Sequence, residues 1–344
     1  MGAASGRPLA VDEETSDSVS PMSDIILDNS IILVGDVIKR LREIPDETVR
    51  TCVTSPPYFG LRDYGVDGQI GLELTPDEYV ARMVEVFREV RRVLTKDGTL
   101  WLNVGDSYAS SPRGNKPGDH STSSLTNPQR QDGVERGGLD KSKLPGVKQK
   151  DLIGIPWMLA FALRTDGWYL RSDIIWQKPN CMPEAVKDRP TRAHEYIFLL
   201  TKSRKYFYDH EAVKEPAKDW SKGGPGTGIK TTEHYGASNG GNSGLGELAA
   251  RYKDGEAPLT RNRRSVWTVS TKATKGAHFA TYPVALIEPC ILAGSTVGDI
   301  VLDPFLGSGT TAVAASLHGR QCIGVELNPE YAVLAENRIR RETE

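Results

Sequence analysis

Apolar residues along the chain form short continuous runs that alternate with longer stretches of helical spacing. The clearest stripe predicts a helix over 76–94, because Tyr79, Met83, Val86 and Val90 recur at intervals of three and four residues. Strand-like runs that alternate with helices indicate βα units, so we expect an α/β, Rossmann-like fold with a mainly parallel twisted sheet and helices on both faces. The predicted strands are 31–34, 50–54, 99–104, 170–176, 195–201, 299–302 and 321–325, and the predicted helices are 36–43, 76–94, 152–166, 283–293, 309–318 and 329–341.

Three segments depart from this alternation. Residues 1–29 are rich in Ser, Asp, Glu and Gly and lack apolar periodicity, which predicts a disordered leader outside the fold. Residues 107–150 are polar, basic and too long for an ordinary connection, so we expect a mobile loop. Residues 210–265 combine Gly-rich runs with a basic stretch and predict an inserted unit. The folded domain then consists of two halves, 30–209 and 266–344.

The even charge balance of the whole chain hides a local partition. The 43 Lys and Arg residues and the 45 Asp and Glu residues give a formal net charge of −2. Residues 202–275, however, contain fourteen basic and eight acidic residues, and residues 112–150 contain eight and four. Such segments are either solvated surface or contacts for a polyanion, and the motifs beside them decide between the two interpretations.

Cysteine usage and hydropathy narrow the cellular setting. The four cysteines lie at positions 52, 181, 290 and 322 without a C-x-x-C pair, so we expect neither a metal site nor a disulfide framework. The longest strongly apolar run, Ile155 to Leu163, is too short to span a membrane. Since no secretory pattern opens the chain, we expect a cytoplasmic protein that does not bind a membrane.

A Gly-rich turn follows the predicted strand 299–302. The sequence DPFLGSGTT, residues 303–311, leads into a helical stretch, and Gly307 and Gly309 allow a ligand to approach the backbone closely. The next strand ends in Glu326, 19 residues beyond Gly307, a spacing suited to a carboxylate that binds a ribose diol. A triphosphate loop would need Lys where Gly309 stands. Asp303 would repel a phosphate but attract a cationic amino-acid group; a purely structural turn is the remaining alternative.

The run TSPPY, residues 54–58, ends the predicted strand 50–54, because neither proline can donate to a sheet ladder. A rigid turn or a polyproline ligand is one interpretation. The other is chemical: the Ser55 hydroxyl and the Pro56 carbonyl could accept the two N–H groups of a base amine and aim its lone pair at a methyl donor. Pro56 and Pro57 would hold these acceptors rigid, and the Tyr58 ring would stack on an extruded base.

TSPPY followed much later by DPFLGSGTT resembles the amino-directed DNA methyltransferases of the permuted class, in which the catalytic motif precedes the cofactor motif. The resemblance covers roughly 31–209 and 266–344, and it implies S-adenosylmethionine as cofactor and double-stranded DNA as substrate. Residues 30–209 then form the catalytic half, 266–344 the cofactor-binding half, and 210–265 the target-recognition insertion. The implied catalytic residues are Ser55, Pro56, Pro57 and Tyr58, and the implied cofactor-binding residues are Asp303, Phe305, Gly307, Ser308, Gly309, Thr310, Glu326, Phe279, Thr281 and Pro283.

The resemblance also bears on the target base and on partners. In that family Ser at the first motif position often accompanies a cytosine target and Asp an adenine target, so Ser55 favours the N4 amine of cytosine and leaves N6 of adenine open. The resemblance is compatible with a companion restriction endonuclease on a separate chain and with a monomer or homodimer. A catalytically silent DNA-binding module that keeps the cofactor fold, or an enzyme acting on RNA or protein, are the alternatives.

Three other features compete for a chemical role. Cys290 follows a proline, as in enzymes that methylate ring carbon, but apolar neighbours at helical spacing predict a buried, inert thiol. The pair His194-Glu195 opens a strand and could supply acid–base chemistry or bind a metal ion, although no further metal ligands accompany it in the sequence. Asp36 at a strand end is predicted to cap the next helix, in a position near the pocket.

Overall fold

The computed structural model describes residues 23–110 except 62 and 64, residues 141–217, residues 260–271 and residues 282–343. Its strands are β1 (Ile25–Ile26), β2 (Ser30–Val34), β3 (Val49–Thr54), β4 (Leu94–Val104), β5 (Tyr169–Gln177), β6 (His194–Thr201), β7 (Glu215–Pro216), β8 (Thr260–Arg261), β9 (Val266–Thr268), β10 (Ile300–Asp303) and β11 (Gln321–Glu326). Its α-helices are α1 (Val37–Arg42), α2 (Pro76–Val93), α3 (Ile155–Thr165), α4 (Val284–Gly294), α5 (Thr310–Leu317) and α6 (Pro329–Thr343).

Nine of the strands form one sheet, in the order β1-β2-β11-β10-β3-β4-β6-β5-β9. The run from β2 to β4 is parallel throughout, whereas β6 runs antiparallel to both β4 and β5, and β9 is parallel to β5. Strand β1 adds an antiparallel edge beside β2. The α/β fold expected from the alternation is therefore confirmed, with a mainly parallel sheet.

The helices divide into two layers, one on each face of this sheet. Helices α1, α2 and α3 bury their apolar residues in one core cluster, and α4, α5 and α6 bury theirs in a second cluster. Helix α2 shows how the sequence sets its own limits: Thr75 and Glu78 form a reciprocal capping box, Pro76 occupies the first turn, and Tyr79, Met83, Val86 and Val90 are buried.

The sheet topology places the ends of seven strands at one edge. The parallel strands β2, β11, β10, β3 and β4 all end there, because parallel neighbours run in the same direction. The antiparallel strand β6 begins at this edge and β5 ends at it, since His194 pairs with Gln177. Ligands of open α/β sheets bind in the crevice outside the carboxyl ends of the strands, so this edge is where a site is expected.

Each predicted strand and helix is present, and the differences lie in short elements and in element ends. Strand β4 starts at Leu94, five residues before its predicted start at 99. The short strands β1, β7, β8 and β9 have only two or three residues, too few for a periodicity to show. Residues 23–29, predicted as part of a disordered leader, belong to the fold: the Asp24 carboxylate accepts hydrogen bonds from the Val34 amide and the Arg40 guanidinium.

The ends of segment 107–150 also differ from the prediction of a single mobile loop. Ala109 is buried, and its amide donates to the Asp151 carbonyl at 2.8 Å. On the other side, Lys141 and Leu144 are buried around a short 3₁₀ turn at 141–143. These ends pack because Ala109 and Leu144 belong to the core cluster that also contains α1, α2 and α3, whereas residues 111–140 lie outside the described part of the chain.

Lys141, in this turn, makes the stability of the protein depend on pH. Its ammonium donates to Ser107 Oγ at 3.0 Å and lies 5.9 Å from the centre of the Phe59 ring. Burial lowers the lysine pKa from its ordinary 10.5 to about 8, against the opposing attraction of the Asp106 carboxylate. Between pH 8 and 10.5 the unfolded chain therefore holds a proton that the folded chain has released.

Because the unfolded chain binds the extra proton, we expect Lys141 to raise the free energy of unfolding as the pH increases from about 8 to 10.5. Below pH 8 we expect no pH-dependent change from this residue. The difference in unfolding free energy between the wild type and Lys141→Met, followed by urea titration at a series of pH values, isolates this group from all others. The exposed Lys96→Met serves as control. A flat difference across the window would contradict the assignment.

Candidate active site

The two motifs, separated by about 250 residues in the sequence, line one cavity at the edge of the sheet where the parallel strands end. The cavity is bounded on one side by the loop after β3 and on the other by the loop after β10, which are neighbouring strands. It is lined by Ser55, Pro56, Pro57 and Tyr58 from the first motif, by Phe305, Gly307, Ser308 and Thr310 from the second, and by Asp36, Tyr282, Glu326, Asn328 and Tyr331.

The loop after β3 is held by backbone contacts on both sides. The Tyr79 hydroxyl, projecting from the buried face of α2, donates to the Pro57 carbonyl at 2.8 Å. Two residues after Tyr58, the Gly60 amide donates to the Gly71 carbonyl at 2.7 Å. The prolines end the strand, as predicted, and these hydrogen bonds fix where the chain turns.

Tyr58 sits between the cavity and a group of polar side chains at the starts and ends of β4, β5 and β6. Its hydroxyl donates to Glu195 Oε2 at 2.8 Å and lies 3.4 Å from Asn103 Oδ1. Burial, and then the Glu195 charge, raises the pKa of the phenol well above its ordinary value. A Cβ on Gly105 would lie 2.6 Å from Cε2 of the Tyr58 ring, so only glycine leaves room for the ring in this place.

The loop after β10 is a tight turn that needs glycine at two positions. Gly307 and Gly309 have φ of +53° and +78°, in the left-handed region that favours glycine. The Gly307 amide donates to Glu326 Oε2 at 2.8 Å, and the Asn328 amide donates to Oε1 at 2.9 Å. Burial raises the pKa of Glu326, while these amide donors act in the opposite direction. The Glu326 carboxylate thus borders the cavity with its position fixed from two sides.

Asp303, predicted to attract the cationic amino-acid group of the cofactor, lies beneath the surface of the cavity. The residue is 1% exposed and does not line the cavity, so among the described residues it is not placed for direct contact with a ligand's amino-acid group. It accepts hydrogen bonds from Thr54 Oγ1 at 2.7 Å, Thr311 Oγ1 at 2.5 Å, the Tyr282 hydroxyl at 3.0 Å and the Phe305 amide at 3.1 Å. Burial raises its pKa. The carboxylate joins the end of β3 to the glycine turn.

Besides Asp303, four of the predicted cofactor residues are placed differently or lie outside the described residues. Phe279 and Thr281 lie outside the described residues. Pro283 is buried as the residue before the first turn of α4, and its neighbour Tyr282 lines the cavity instead. Gly309 lies behind the turn, where a Cβ would approach Ala335 at 3.2 Å.

The weaker candidates resolve into distinct roles. Cys290 is buried inside α4, its pKa is raised by desolvation, and its thiol contacts the Leu286 carbonyl, as expected for an inert thiol. Asp36 caps α1 by accepting from the Lys39 amide at 2.9 Å, and it also lines the cavity. No cluster of three His, Cys, Asp or Glu side chains suited to a metal ion occurs in the described ranges.

Comparison with known proteins decides the family. The sequence profile of a family described as DNA methylase matches residues 49–337, which include both motifs and the strands between them. The chain belongs to the DNA methylase family. This methylase is 47% identical over 338 residues to the Type II methyltransferase M.Cfr9I of Citrobacter freundii, with 98% of this chain and 95% of that protein covered. It is 46% identical over 310 residues to M.SmaI of Serratia marcescens, covering 90% of each chain.

Solved structures share the fold of the methylase. The PvuII DNA methyltransferase (cytosine-N4-specific) superimposes with a TM-score of 0.57 at 18% identity, over 92% of each chain. TTHA0409 of Thermus thermophilus, described as a putative DNA modification methylase, was solved with S-adenosyl-L-methionine; it gives a TM-score of 0.52 at 24% identity, over 91% of this chain and 93% of that one. The methylase is thus an amino-directed DNA methyltransferase with the fold of these two structures. Across its described residues, no helix is both long and apolar enough to cross a bilayer.

Two residues of this site in the methylase have contacts that the sequence does not predict. The sequence offers Glu195 only as an acid–base or metal-binding candidate, because its contact with Tyr58 joins positions 137 residues apart. Arg338, on the last helix, carried no visible signal beyond its charge. Its Nη1 donates to Ser308 Oγ at 2.9 Å and to Thr310 Oγ1 at 2.8 Å, and Glu342 holds its Nε at 3.1 Å. Arg338 therefore stabilises the glycine turn at 307–309 through the hydroxyls of Ser308 and Thr310.

Replacing Arg338 by methionine should weaken cofactor binding by the methylase. The substitution keeps the apolar stem but leaves the Ser308 and Thr310 hydroxyls without their cationic donor, so the turn loses its fixed position. We expect the Kd for S-adenosylmethionine, measured by calorimetry, to rise roughly tenfold. Arg341→Met, three residues further along α6 and 71% exposed, is the matched control and should leave the Kd unchanged. An unchanged Kd in Arg338→Met would show that the turn is held without it.

Proposed function

We propose that the enzyme transfers a methyl group from S-adenosylmethionine to the exocyclic N4 amine of a cytosine that is flipped out of double-stranded DNA at a specific site. One observation carries the choice of base: Ser55, and not an aspartate, occupies the first position of the SPPY motif, in a cavity that the cofactor loop also lines. Enzymes that act on a base within a duplex must extrude it into such a pocket.

The proposed catalytic chemistry rests on two oxygen acceptors. The lone pair of a base amine is delocalised into the ring, so the nitrogen is a poor nucleophile. The Ser55 hydroxyl and the Pro56 carbonyl each accept one N–H group of the amine, draw the nitrogen toward tetrahedral geometry and direct its lone pair at the methyl donor. Ser55 and Pro56 both line the cavity, whereas the Pro57 carbonyl is already taken by the Tyr79 hydroxyl. Attack in this geometry needs no covalent enzyme intermediate.

The residues of the second loop fit the cofactor's chemical groups. Glu326 borders the cavity with a carboxylate that can accept from a ribose diol, and the glycine turn at 307–309 offers a backbone that a ligand can approach closely. When bound, the cofactor supplies a sulfonium methyl group as the electrophile. The residues that would hold it are Phe305, Gly307, Ser308, Thr310 and Glu326, with Asp303 fixing the loop from inside.

The order of the motifs supports assignment to the permuted class. The catalytic loop follows β3 and the cofactor loop follows β10, yet β3 and β10 are hydrogen-bonded neighbours, with Val301 beside Thr51 and Leu302 beside Cys52. A chain that meets these strands in the opposite order would build the same site. We propose that residues 30–209 supply the acceptors and residues 266–344 hold the cofactor.

We further propose that the basic insertion 210–265 recognises the target sequence in the duplex. Its two described ends meet in the β7–β8 ladder, where Glu215 accepts from Arg261 at 2.8 Å and from Arg264 at 2.6 Å. An insertion anchored in this way is suited to contact phosphates and base edges. We also propose that the enzyme is a cytoplasmic monomer or homodimer. A restriction endonuclease on a separate chain would be its companion.

Mass spectrometry of nucleosides tests the target base. Unmethylated duplex DNA is incubated with the purified enzyme and S-adenosylmethionine, digested to nucleosides and compared with a reaction that lacks the cofactor. We expect N4-methyldeoxycytidine to appear only in the complete reaction. If N6-methyldeoxyadenosine appeared instead, adenine would be the target base and the inference from Ser55 would be wrong. The proposal that the two loops form one site would not be affected.

A further inference from the structure

The Tyr58 ring lines the cavity, and the plane of this ring decides how an extruded base can stack on it. Two torsions set the plane of a tyrosine ring, and the second of them has a broad energy minimum. The ring is therefore fixed only where its surroundings hold it. The structure holds Tyr58 at two points outside the SPPY motif: its hydroxyl is hydrogen-bonded to Glu195, and its ring edge packs on Gly105.

The hydrogen bond at the hydroxyl crosses from the loop after β3 to the start of β6, over the end of β4. The phenol donates to Glu195 Oε2 at an oxygen–oxygen distance of 2.8 Å. The buried Asn103, near the end of β4, has its Nδ2 at 3.4 Å from the same carboxylate oxygen and donates to the Tyr196 carbonyl at 3.0 Å. The acceptor of the phenol hydrogen is thus placed by β4 and β6.

The Glu195 carboxylate is held from its other side by an ion pair. Lys178 Nζ donates to Glu195 Oε1, and the ammonium lies 4.1 Å from the centre of the Trp176 ring. The two charged side chains are only 19% and 16% exposed, so salt screens this pair less than a surface pair. The Trp176 indole in turn donates to the Val269 carbonyl at 2.8 Å. Contacts from three strands and the segment after β9 therefore fix the position of the carboxylate.

Gly105 limits the ring along its edge. A Cβ at this position would lie 2.6 Å from Cε2 and 3.2 Å from Cζ of Tyr58, and 3.3 Å from Cδ of Glu195. Gly105 is not one of the glycines with positive φ, so its backbone conformation is open to other residues. What the ring requires at this position is the absence of a side chain.

We propose that Glu195, held by Lys178, and Gly105 fix the plane of the Tyr58 ring, so that the stacking face is in place before the extruded base arrives. The inference rests on the proposed function, since it assumes that the ring stacks on the target base. Neither Glu195 nor Gly105 lines the cavity formed by the described residues, so both are positioning residues and not catalytic ones. A ring fixed in advance loses little conformational freedom when the base binds.

A purely structural ion pair makes a different prediction. If Lys178 and Glu195 only stabilise the strand ends, the effect of removing the carboxylate does not depend on the Tyr58 hydroxyl. If Glu195 holds the ring, the two effects depend on each other. Glutamine at position 195 should then substitute for glutamate, because its amide oxygen can accept from the ammonium while its nitrogen donates to the phenol oxygen.

The test is a mutant cycle read by single-turnover methylation of duplex DNA at saturating cofactor. Glu195→Ala should lower the rate roughly 10- to 100-fold, the usual cost of a misplaced group beside a reacting centre, and Glu195→Gln should stay within about threefold of the wild type. Tyr58→Phe keeps the ring but loses its hydrogen bond, so it should be slow as well, and Glu195→Ala should cause no further loss in that background. Asp166→Ala, which removes the remote Arg88–Asp166 pair, is the control with the wild-type rate.

Gly105→Ala tests the same placement without changing a charge or a hydrogen-bonding side chain. The added methyl group displaces the ring, so the rate should fall roughly 10- to 100-fold. The Kd for S-adenosylmethionine should be that of the wild type in this variant and in the Glu195 variants. Should Glu195→Ala fail to fold, as judged by circular dichroism, Gly105→Ala decides, and a wild-type rate in it would overturn the proposal.

Multiplicative losses in the cycle would also overturn the proposal, as would a wild-type rate in Glu195→Ala or a rate in Glu195→Gln as low as that of Glu195→Ala. Failure of the proposed function has a separate signature. If Tyr58→Ala retains the wild-type rate, the ring does not serve the base at all. If Tyr58→Ala is slow while Glu195→Ala and Gly105→Ala are not, the ring serves the base and only the positioning residues are wrongly assigned.

Discussion

Ser55→Ala should lower the single-turnover methylation rate by about 100- to 1000-fold, the usual cost of removing one preorganised hydrogen-bonding group from a reacting centre. The substitution removes the acceptor hydroxyl but leaves the backbone turn, because the two prolines and the Tyr79 contact with the Pro57 carbonyl are unchanged. Binding of S-adenosylmethionine should stay near the wild-type value, since the cofactor loop lies on the other side of the cavity.

Separate measurements of rate and affinity make this division of roles testable. Rapid-quench transfer of a labelled methyl group gives the chemical step, and calorimetry gives the cofactor Kd. Ser110→Ala, at an exposed position beyond β4, is the control and should match the wild type in both. A fall in cofactor affinity as large as the fall in rate would show that Ser55 serves the fold of the pocket and not the reaction.

Asp303→Ala should have the largest effect on stability. Three hydroxyl groups and one amide donate to this buried carboxylate, and its removal leaves them without an acceptor in a site that water does not reach. We expect a loss of roughly 3 to 5 kcal/mol in the free energy of unfolding. The cofactor affinity should fall as well, because the glycine turn loses its link to the end of β3.

Asp303→Asn is the matched comparison. The amide has the same shape and can donate to hydroxyls that reverse their direction, so its loss in urea titration should be clearly smaller than that of Asp303→Ala. If both variants unfold at the wild-type urea concentration, the carboxylate is not the link between the loops. If Asp303→Ala is stable but binds the cofactor weakly, the carboxylate contacts the ligand directly, as expected from the sequence.

The architecture could be predicted well because the evidence for it is local. The stripe on α2, the alternation of strands and helices, and the strand–turn–helix pattern around residue 307 are each contained within about 20 residues. The two motifs also come together as the topology requires, since both follow parallel strands that end at one edge. The roles of the individual side chains in that cavity remain predictions until the variants are measured.

The sequence does not predict which side chains contact one another beneath the surface of the site. The pattern places Asp303 at a strand end, but it does not say whether the carboxylate faces the ligand or the three hydroxyls beneath it. Glu195 and Arg338 contact the site from 137 and about 30 residues away, distances at which no periodicity applies. Their assignment needed the register of β4, β5 and β6 and the packing of α6.

The short β7–β8 ladder has a consequence for how enzymes of this kind diverge. Residues 215 and 261 are register partners, and Glu215 forms ion pairs with Arg261 on the returning strand β8 and with Arg264, three residues further along the chain. The chain enters and leaves the insertion through the paired strands β7 and β8. We therefore expect a change in the intervening segment to transmit little strain to the sheet that carries Ser55 and Glu326. If residues 218–259 recognise the target sequence, as we propose, their replacement should change the DNA sequence that is methylated and leave the residues that carry out the chemistry unchanged.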